Sequence, residues 1–447
     1  MNKYWILIHL NFLLFTIILC SCRSQPKDPV LGITSTQSNE QAPTSELTSE
    51  ELVSKLGVIT NEYSTSNSGT LHLFDLNAQP LPLFTPQSRV LSFQMTQKRV
   101  AYLALDSEHS SIPTLFLLNS HGEPLSEFSP IQGVHSFQLT ENKLIYVTRT
   151  RNPNYPLDLQ RGTLHILDLN GKPATGVNPI PHVCLEGPQP VQANSRSWIA
   201  YLSCESLDDT HSHSRPQLHI LDENHREILI HSPIAQDQTF YFKLTDHTLS
   251  YVHHQTRISI RPTHLKTLVF QGRALVQDTT QYRDLLINPI RIHARSNLLA
   301  ALSPIRLEPL QANLMILTGN GRPVHSPPFQ IYLDPTDESV VLAHDRILYL
   351  NDFDLESDTA TLNMLDSQAR PLPSFSPIAS VSAVIPAINS SRVAYVSAEL
   401  RSTPALTTRE LRHQIQYHLH LIDLNGVPIP NYQPQSITQP LQLRITE

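Results

Sequence analysis

Apolar and polar positions alternate along this chain in short runs, and the runs follow one another in an order that repeats. VHSFQLTENKLIYVTRT, from Val134 to Thr150, is a pair of apolar stretches around a polar turn, and LHILDLNGKP, from Leu164 to Pro173, is an apolar stretch closed by a tighter one. Short alternating runs separated by such turns predict strands joined as hairpins. The first phrase recurs as VLSFQMTQKRVAYLAL from Val90, VQANSRSWIAYLSC from Val191, TFYFKLTDHTLSYVHH from Thr239, NPIRIHARSNLLAAL from Asn288, ESVVLAHDRILYL from Glu338 and AVIPAINSSRVAYVSA from Ala383. The second recurs through its turn: DLNAQP at Asp75, NSHGEP at Asn119, DLNGKP at Asp168, DENHRE at Asp222, TGNGRP at Thr318, DSQARP at Asp366 and DLNGVP at Asp423. Asn and Gly accept the left-handed conformation that a tight reversal needs, and the recurring Asp caps it. The Pro that follows has no N–H for a ladder, so it places the next strand at a sheet edge. The weakest copy lies between Arg257 and Leu275, where no Asp-Asn turn occurs.

Cut at these phrases, the chain divides into units 90–133, 134–190, 191–238, 239–286, 287–335, 336–380 and 381–438. An eighth is split between the ends. KLGVITNEY, from Lys55, matches KLIYVTRT but lacks the strand before it, and LQLRITE, Leu441 to Glu447, is similar to the SFQLTE of Ser136 to Glu141. Units of roughly 40 to 50 residues with four strands each predict an all-β, eight-bladed β-propeller of four-stranded blades, closed by the C-terminal strand joining the N-terminal blade. RVAYVSA (Arg392 to Ala398) with LHLIDLNGVP (Leu419 to Pro428) resembles the repeat of TolB-type and WD40-like propeller proteins, a likeness that covers about 52–447. The resemblance implies architecture; propellers host binding, scaffolding and catalysis alike.

The N-terminus predicts an address. Lys3 precedes an apolar stretch from Tyr4 to Cys20, and L-C-S-C, Leu19 to Cys22, resembles a bacterial lipobox, the other reading being an uncleaved membrane anchor. The resemblance implies a signal peptide over 1–21, lipidation of Cys22 and attachment to a membrane through acyl chains. Arg23 rather than Asp follows that Cys, which by the same resemblance favours the outer membrane of the cell envelope. Residues 22–51, rich in Ser, Thr, Gln, Pro and Glu, predict a disordered tether reaching about 30 Å, and 52–447 the propeller domain.

Composition narrows the partners. Net charge is -7 and no Lys/Arg block stands out, which excludes a nucleic-acid partner; 35 Pro and 22 His suit a strand-and-turn protein with many edges. Two cysteines remain after processing, Cys184 and Cys204, an even pair in an exported protein that reads either as a disulfide or as two buried thiols. Neither sits in a nucleophile motif.

In a four-stranded blade the second-to-third loops and the links between blades emerge on one face. The longest units owe their length to that face, through RNPNYPLDLQRG (Arg151 to Gly162) and ELRSTPALTTRELRHQ (Glu399 to Gln414). Such insertions read as a contact surface for an envelope protein partner or as tolerated drift in exposed loops. The same face carries SLDDTHSHSR, whose His211 and His213, with His253 and His254 of the neighbouring unit, make a candidate zinc-type cluster against the plainer reading of a solvated polar loop. No G-x-S-x-G, H-E-x-x-H, P-loop or G-x-G-x-x-G occurs, so no catalytic residue and no cofactor is assigned. The expectation is a lipid-anchored binding or scaffold module; the alternative is a hydrolase or lyase acting on glycans or peptides.

Overall fold

The computed structural model describes residues 52–61, 68–107, 112–149, 161–185, 191–194, 198–205, 215–231, 241–245, 248–254, 263–271, 274–285, 291–295, 298–307, 310–318, 324, 329–332, 340–343, 346–354, 359–382, 386–400, 415–430 and 432–446. The expected signal peptide (1–21), Cys22 and the expected tether (22–51) lie outside them. Among the described residues the strands form antiparallel sheets and nothing else, so the chain is all-β.

Most of the repeats begin with the same capped hairpin. Strand Val134–Leu139 returns as Lys143–Arg149, and between them the Thr140 N–H donates to Lys143 O at 2.9 Å while Thr140 Oγ1 accepts from the Lys143 N–H at 3.0 Å. Thr96 with Arg99 and Thr245 with Thr248 repeat this exchange, and the Asn389 and Asn194 side chains do the same for Arg392 and Trp198. A hydroxyl or amide that satisfies a turn N–H explains the Thr or Asn at these positions; the equivalent position is Ala343, opposite Arg346, in unit 336–380 and Arg295, opposite Leu298, in unit 287–335. The same exchange joins the two ends of the chain. The Thr446 N–H donates to Lys55 O at 2.9 Å and the Lys55 N–H to Thr446 Oγ1 at 2.8 Å, so strands Gln439–Ile445 and Lys55–Asn61 pair as a hairpin whose turn is missing.

The second turn is also built the same way in the described copies. At Asp75, Asn119, Asp168, Asp222, Asp366 and Asp423 the side-chain oxygen accepts from the N–H groups two and four residues on, as in Asn170 to Asp168 at 2.8 Å and Lys172 to Asp168 at 2.9 Å. The left-handed residue is the third after the Asp or Asn that opens the turn: Ala78, Gly122, Gly171, His225, Ala369 and Gly426. The acid holds the loop, and the Asn before the bend needs no special φ. The following Pro makes a single bridge, such as Leu167 to Pro173, and the chain then turns again before the outer strand. In the aberrant copy this apparatus is absent, and Thr263–Gln271 pairs directly with the long strand Ala274–Leu285.

Outer strands tie successive units together. Val183 of strand Ile180–Cys184 pairs with Ser203 of strand Ile199–Glu205, and Val381 of Ile378–Ser382 with Ser397 of Arg392–Leu400. The residue before each of these valines, His182 or Ser380, is left-handed, as are Arg89 before Val90 and Gly133 before Val134. A left-handed residue re-aims the strand, so the chain leaves one unit and drops a valine into the next.

The core lies between units. Ala101 and Leu115 pack with Val134 and Leu144; Ile145 and Leu164 with Ile199 and Tyr201; Ala200 and Leu218 with Phe242 and Leu249. The last unit packs on the first in the same way, Ala394 and Leu419 against Leu56 and Leu443. Middle strands are therefore covered on both sides, and Lys55–Asn61 is buried along its whole length.

Candidate functional surface

Antiparallel strands give every unit two ends. The capped hairpins and the Asp turns crowd one end, here the turn face; the connections between second and third strands leave from the other. On the turn face the polar side chains are spent on neighbours. Arg99 Nε donates to Leu169 O at 2.7 Å, and Lys143 Nζ to Glu223 O at 3.0 Å, each reaching the Asp turn of the following unit. Arg392 reaches Leu76 O in the same manner, from the last unit to the first. Asn194 Nδ2 donates to Thr245 O at 2.8 Å and Asn389 Nδ2 to Thr446 O at 2.9 Å. Glutamines add a third link: the Gln94 amide bridges Phe137 O and Leu139 N–H, Gln138 bridges both backbone groups of Ala193, and Gln192 bridges Phe242 O and Leu244 N–H. A side chain that satisfies a donor and an acceptor at once fixes the spacing of adjacent strands.

Lys55 is the extreme case. Fully buried, its ammonium donates to the carbonyls of Val53 at 2.8 Å and of Thr96 and Gln97 at 3.0 Å, and desolvation brings its pKa down to about 8. Three acceptors satisfy its three donors, so it is a clasp between units.

Toward the other face, histidines lie across the strands in a repeated arrangement. Tyr146 stacks on His165 at 4.7 Å, Tyr201 on His219 at 4.8 Å and Tyr395 on His420 at 4.8 Å, with rings within 8° of parallel. A hydroxyl two residues after each Tyr meets the ring Nε2: Thr148 at 3.2 Å, Ser203 at 2.7 Å and Ser397 at 2.8 Å. Thr60 meets His72 likewise at 3.1 Å. Burial holds His165 and His420 below the usual histidine pKa. The signal was in the repeats, as Y-x-[ST] on the second strand facing L-H on the third, but without the register it reads only as abundance of His.

In one unit a carboxylate completes the line, with Glu227 Oε1 2.5 Å from His219 Nδ1. Ser203, His219 and Glu227 thus stand in the order of a proton relay. An acyl-transfer site further needs an exposed nucleophile and convergent backbone N–H donors. Ser203 is buried in mid-strand, between register partners Val183 and Gln217, and its hydroxyl–imidazole pair recurs in three other units. The arrangement is cross-strand packing with a polar partner.

The predicted site residues fare differently. Cys184 and Cys204 are joined by a disulfide, their Cα atoms 5.1 Å apart, one residue beyond the Val183–Ser203 bridge. His211 and His213 lie outside the described residues, as do most of both long insertions. His253 and His254 are on strand Thr248–His254, opposite His264 and Thr263, and their side chains are outside the description. Among the described residues no group of three or more His, Cys, Asp or Glu gathers as a metal site.

No protein-family model matches the sequence, and no curated protein matches it. Among solved structures the chain is similar to a eukaryotic initiation factor, at 10% identity and a TM-score of 0.46 over 88% of this chain and 98% of that one. It is similar to the β-propeller domain of the Trilobed protease from Pyrococcus furiosus, at 10% identity and 0.45 over 75% and 97%. It is also similar to the acylaminoacyl peptidase of Pyrococcus horikoshii, at 9% identity and 0.45 over 78% of this chain; the match spans about half of that enzyme, 52%.

Proposed function

We propose that residues 52–447 form an eight-bladed propeller closed by the C-terminal strand, and that the protein is a lipid-anchored envelope lipoprotein whose ring is a rigid platform for a protein partner. The observation that carries the ring is a cycle of contacts among first strands. Gln439–Ile445 lies against Gln87–Met95, followed by Val134–Leu139, Val191–Ala193, Tyr241–Leu244, Arg291–Arg295, Val340–Ala343 and Ala387–Ile388, which returns to Gln439–Ile445. The links from last unit to first, Arg392 to Leu76 and Asn389 to Thr446, copy those made elsewhere. A ring in which turns, caps and clasps are all engaged in holding neighbours together leaves the opposite face for recognition. The long insertions 151–162 and 399–414 belong there, and the lipobox ending at Cys22 supplies the anchor.

Two experiments test this. Joining Thr446 to Lys55 through Glu447 and an added Asn rebuilds the turn of Thr140–Lys143, so a circular permutant opened within 151–160 should fold with an undiminished melting temperature. Failure to fold, while opening the same loop by proteolysis is tolerated, would sink the closed ring. For the platform, crosslinked pulldown from membranes should recover a protein partner, lost when 151–160 or 401–414 is replaced by a short Gly/Ser loop. Recovery of a glycan or peptide and no protein would favour the hydrolase or lyase reading.

A further inference from the structure

Three of the Asp turns close over an aromatic ring of the preceding unit: Gly122 over Phe84, Gly171 over Phe128 and Gly426 over Phe375. The N–H of each of these phenylalanines donates to the carbonyl three residues back, and in unit 134–190 the residue with that hydrogen bond is Val177. The turn of the following unit, Asp222–Arg226, carries His225 where the others carry Gly, with φ at 62°. At this junction the small residue and the ring have changed sides. A left-handed side chain costs about 1 to 2 kcal/mol, and the ring gained here is one that titrates near neutral pH.

That ring meets a cation. Lys143 Nζ, on the hairpin turn of unit 134–190, donates to His225 Nε2 at 2.8 Å and to Glu223 O at 3.0 Å. An ammonium only donates, so the imidazole is neutral and carries its proton on Nδ1. A proton on Nε2 removes the acceptor and sets two positive charges in contact. The backbone cannot retreat, because the fully buried Asp222 accepts from the N–H groups of Asn224 and Arg226 at 2.9 and 2.8 Å. The side chains must part instead. Charged groups on the two turns that meet are Glu141 and Lys143 on one and Asp222, Glu223 and Arg226 on the other. Those acting on the ring are Lys143, which opposes its protonation, and Asp222, which favours it. The equivalent clasps hold no such pair: Arg99 reaches Leu169 O and Asn170 Oδ1, and Arg392 reaches Leu76 O.

We propose that the junction of units 134–190 and 191–238 is a proton-sensitive clasp, in which protonation of His225 expels the Lys143 ammonium and frees the Asp222–Arg226 turn from the preceding unit. Burial and Lys143 together hold the His225 pKa below the usual histidine value, against Asp222. As pH falls the unfolded chain therefore takes up this proton before the folded one. The clasp is complete above about pH 6.5 and is lost as pH drops through the lower folded value. The change is local, since the Val183–Ser203 bridge and the Cys184–Cys204 bond still join the two units.

Trp198 reports the event, because its Nε1 donates to Glu223 Oε2 at 3.0 Å, and Trp5→Phe leaves it the sole tryptophan of the full chain. In that protein the emission of Trp198 should shift through one transition as pH falls from about 7.5 to about 5. His225→Asn, which tolerates the left-handed backbone, should abolish the transition, and Lys143→Met should move it to higher pH. No transition, one that survives His225→Asn, or one that Lys143→Met leaves in place overturns the clasp. If either variant fails to fold, hydrogen exchange at the histidine C2 position of the unsubstituted protein, read by mass spectrometry, decides. His225 should titrate below the ordinary histidine value and in step with Trp198; titration at or above that value, or apart from Trp198, overturns the proposal.

Discussion

The junction of units 134–190 and 191–238 and that of units 336–380 and 381–438 are built alike and locked differently. Both send an outer strand, Ile180–Cys184 or Ile378–Ser382, across to the second strand of the following unit through one valine after a left-handed residue. In one, the residues after the bridge, Cys184 and Cys204, are 5.1 Å apart at Cα and disulfide-bonded; the equivalent positions in the other are Ser382 and Ala398. The crossing thus comes from backbone geometry, and the disulfide is added to a contact that forms without it. By closing a loop with a sequence separation of 20, the disulfide restricts the unfolded chain.

The widest test of that comparison removes the lock. Cys184→Ala with Cys204→Ala should lower unfolding free energy by about 3 kcal/mol in denaturant titration while leaving the sheet signal unchanged. A lost sheet signal would mean that the bond creates the crossing. Next come the Asp turns, which pack on the preceding unit. Gly171 and Gly426 are left-handed, and an added Cβ would strike Phe128 or Phe375 of the preceding unit. Gly171→Ala and Gly426→Ala should each cost about 2 kcal/mol, and tolerance at either would show that the phenylalanine can move aside. Transplanting the lock, by Ser382→Cys with Ala398→Cys, should form a disulfide on oxidation and raise stability by about 1 to 2 kcal/mol; free thiols after oxidation would refute the equivalence of the junctions.

Acid should weaken a unit beside each junction, 134–190 and 381–438, through its stacked histidine. His165 and His420 have pKa values depressed by burial, so the unfolded chain takes up protons that the folded one resists. Their contribution is fully present above about pH 6.5 and is lost as pH falls through the lower folded value. Melting temperature should drop from pH 7.5 to 5, less steeply in His420→Gln. The smallest effect is expected at the left-handed crossings, where His182→Gly and Ser380→Gly should gain on the order of 0.5 kcal/mol by relieving φ strain against added chain entropy.

The repeats, the strand pairs, the capping role of Asp168 and its equivalents and the kinship of the two chain ends were legible because each is a local pattern of period, turn chemistry and apolar alternation. Which residue of Asn170–Gly171 or Asn425–Gly426 takes the left-handed conformation was left open because either can form the bend, and the structure puts it on the Gly. The Tyr–His–hydroxyl stacks were invisible for a different reason. Tyr146 and His165 are 19 residues apart, and only register sets them opposite.

By itself the sequence determined that this chain is a series of hairpins with one unit divided between its ends, because hairpins are specified by residues that are neighbours along the chain. Which side chains clasp which neighbour was decided only by the tertiary structure. Lys55 reaching Thr96, Gln94 bridging Phe137 and Leu139, and Cys184 meeting Cys204 all join different units. Those contacts depend on the angle and spacing at which whole sheets pack, and packing is a property of surfaces that no short stretch of sequence contains.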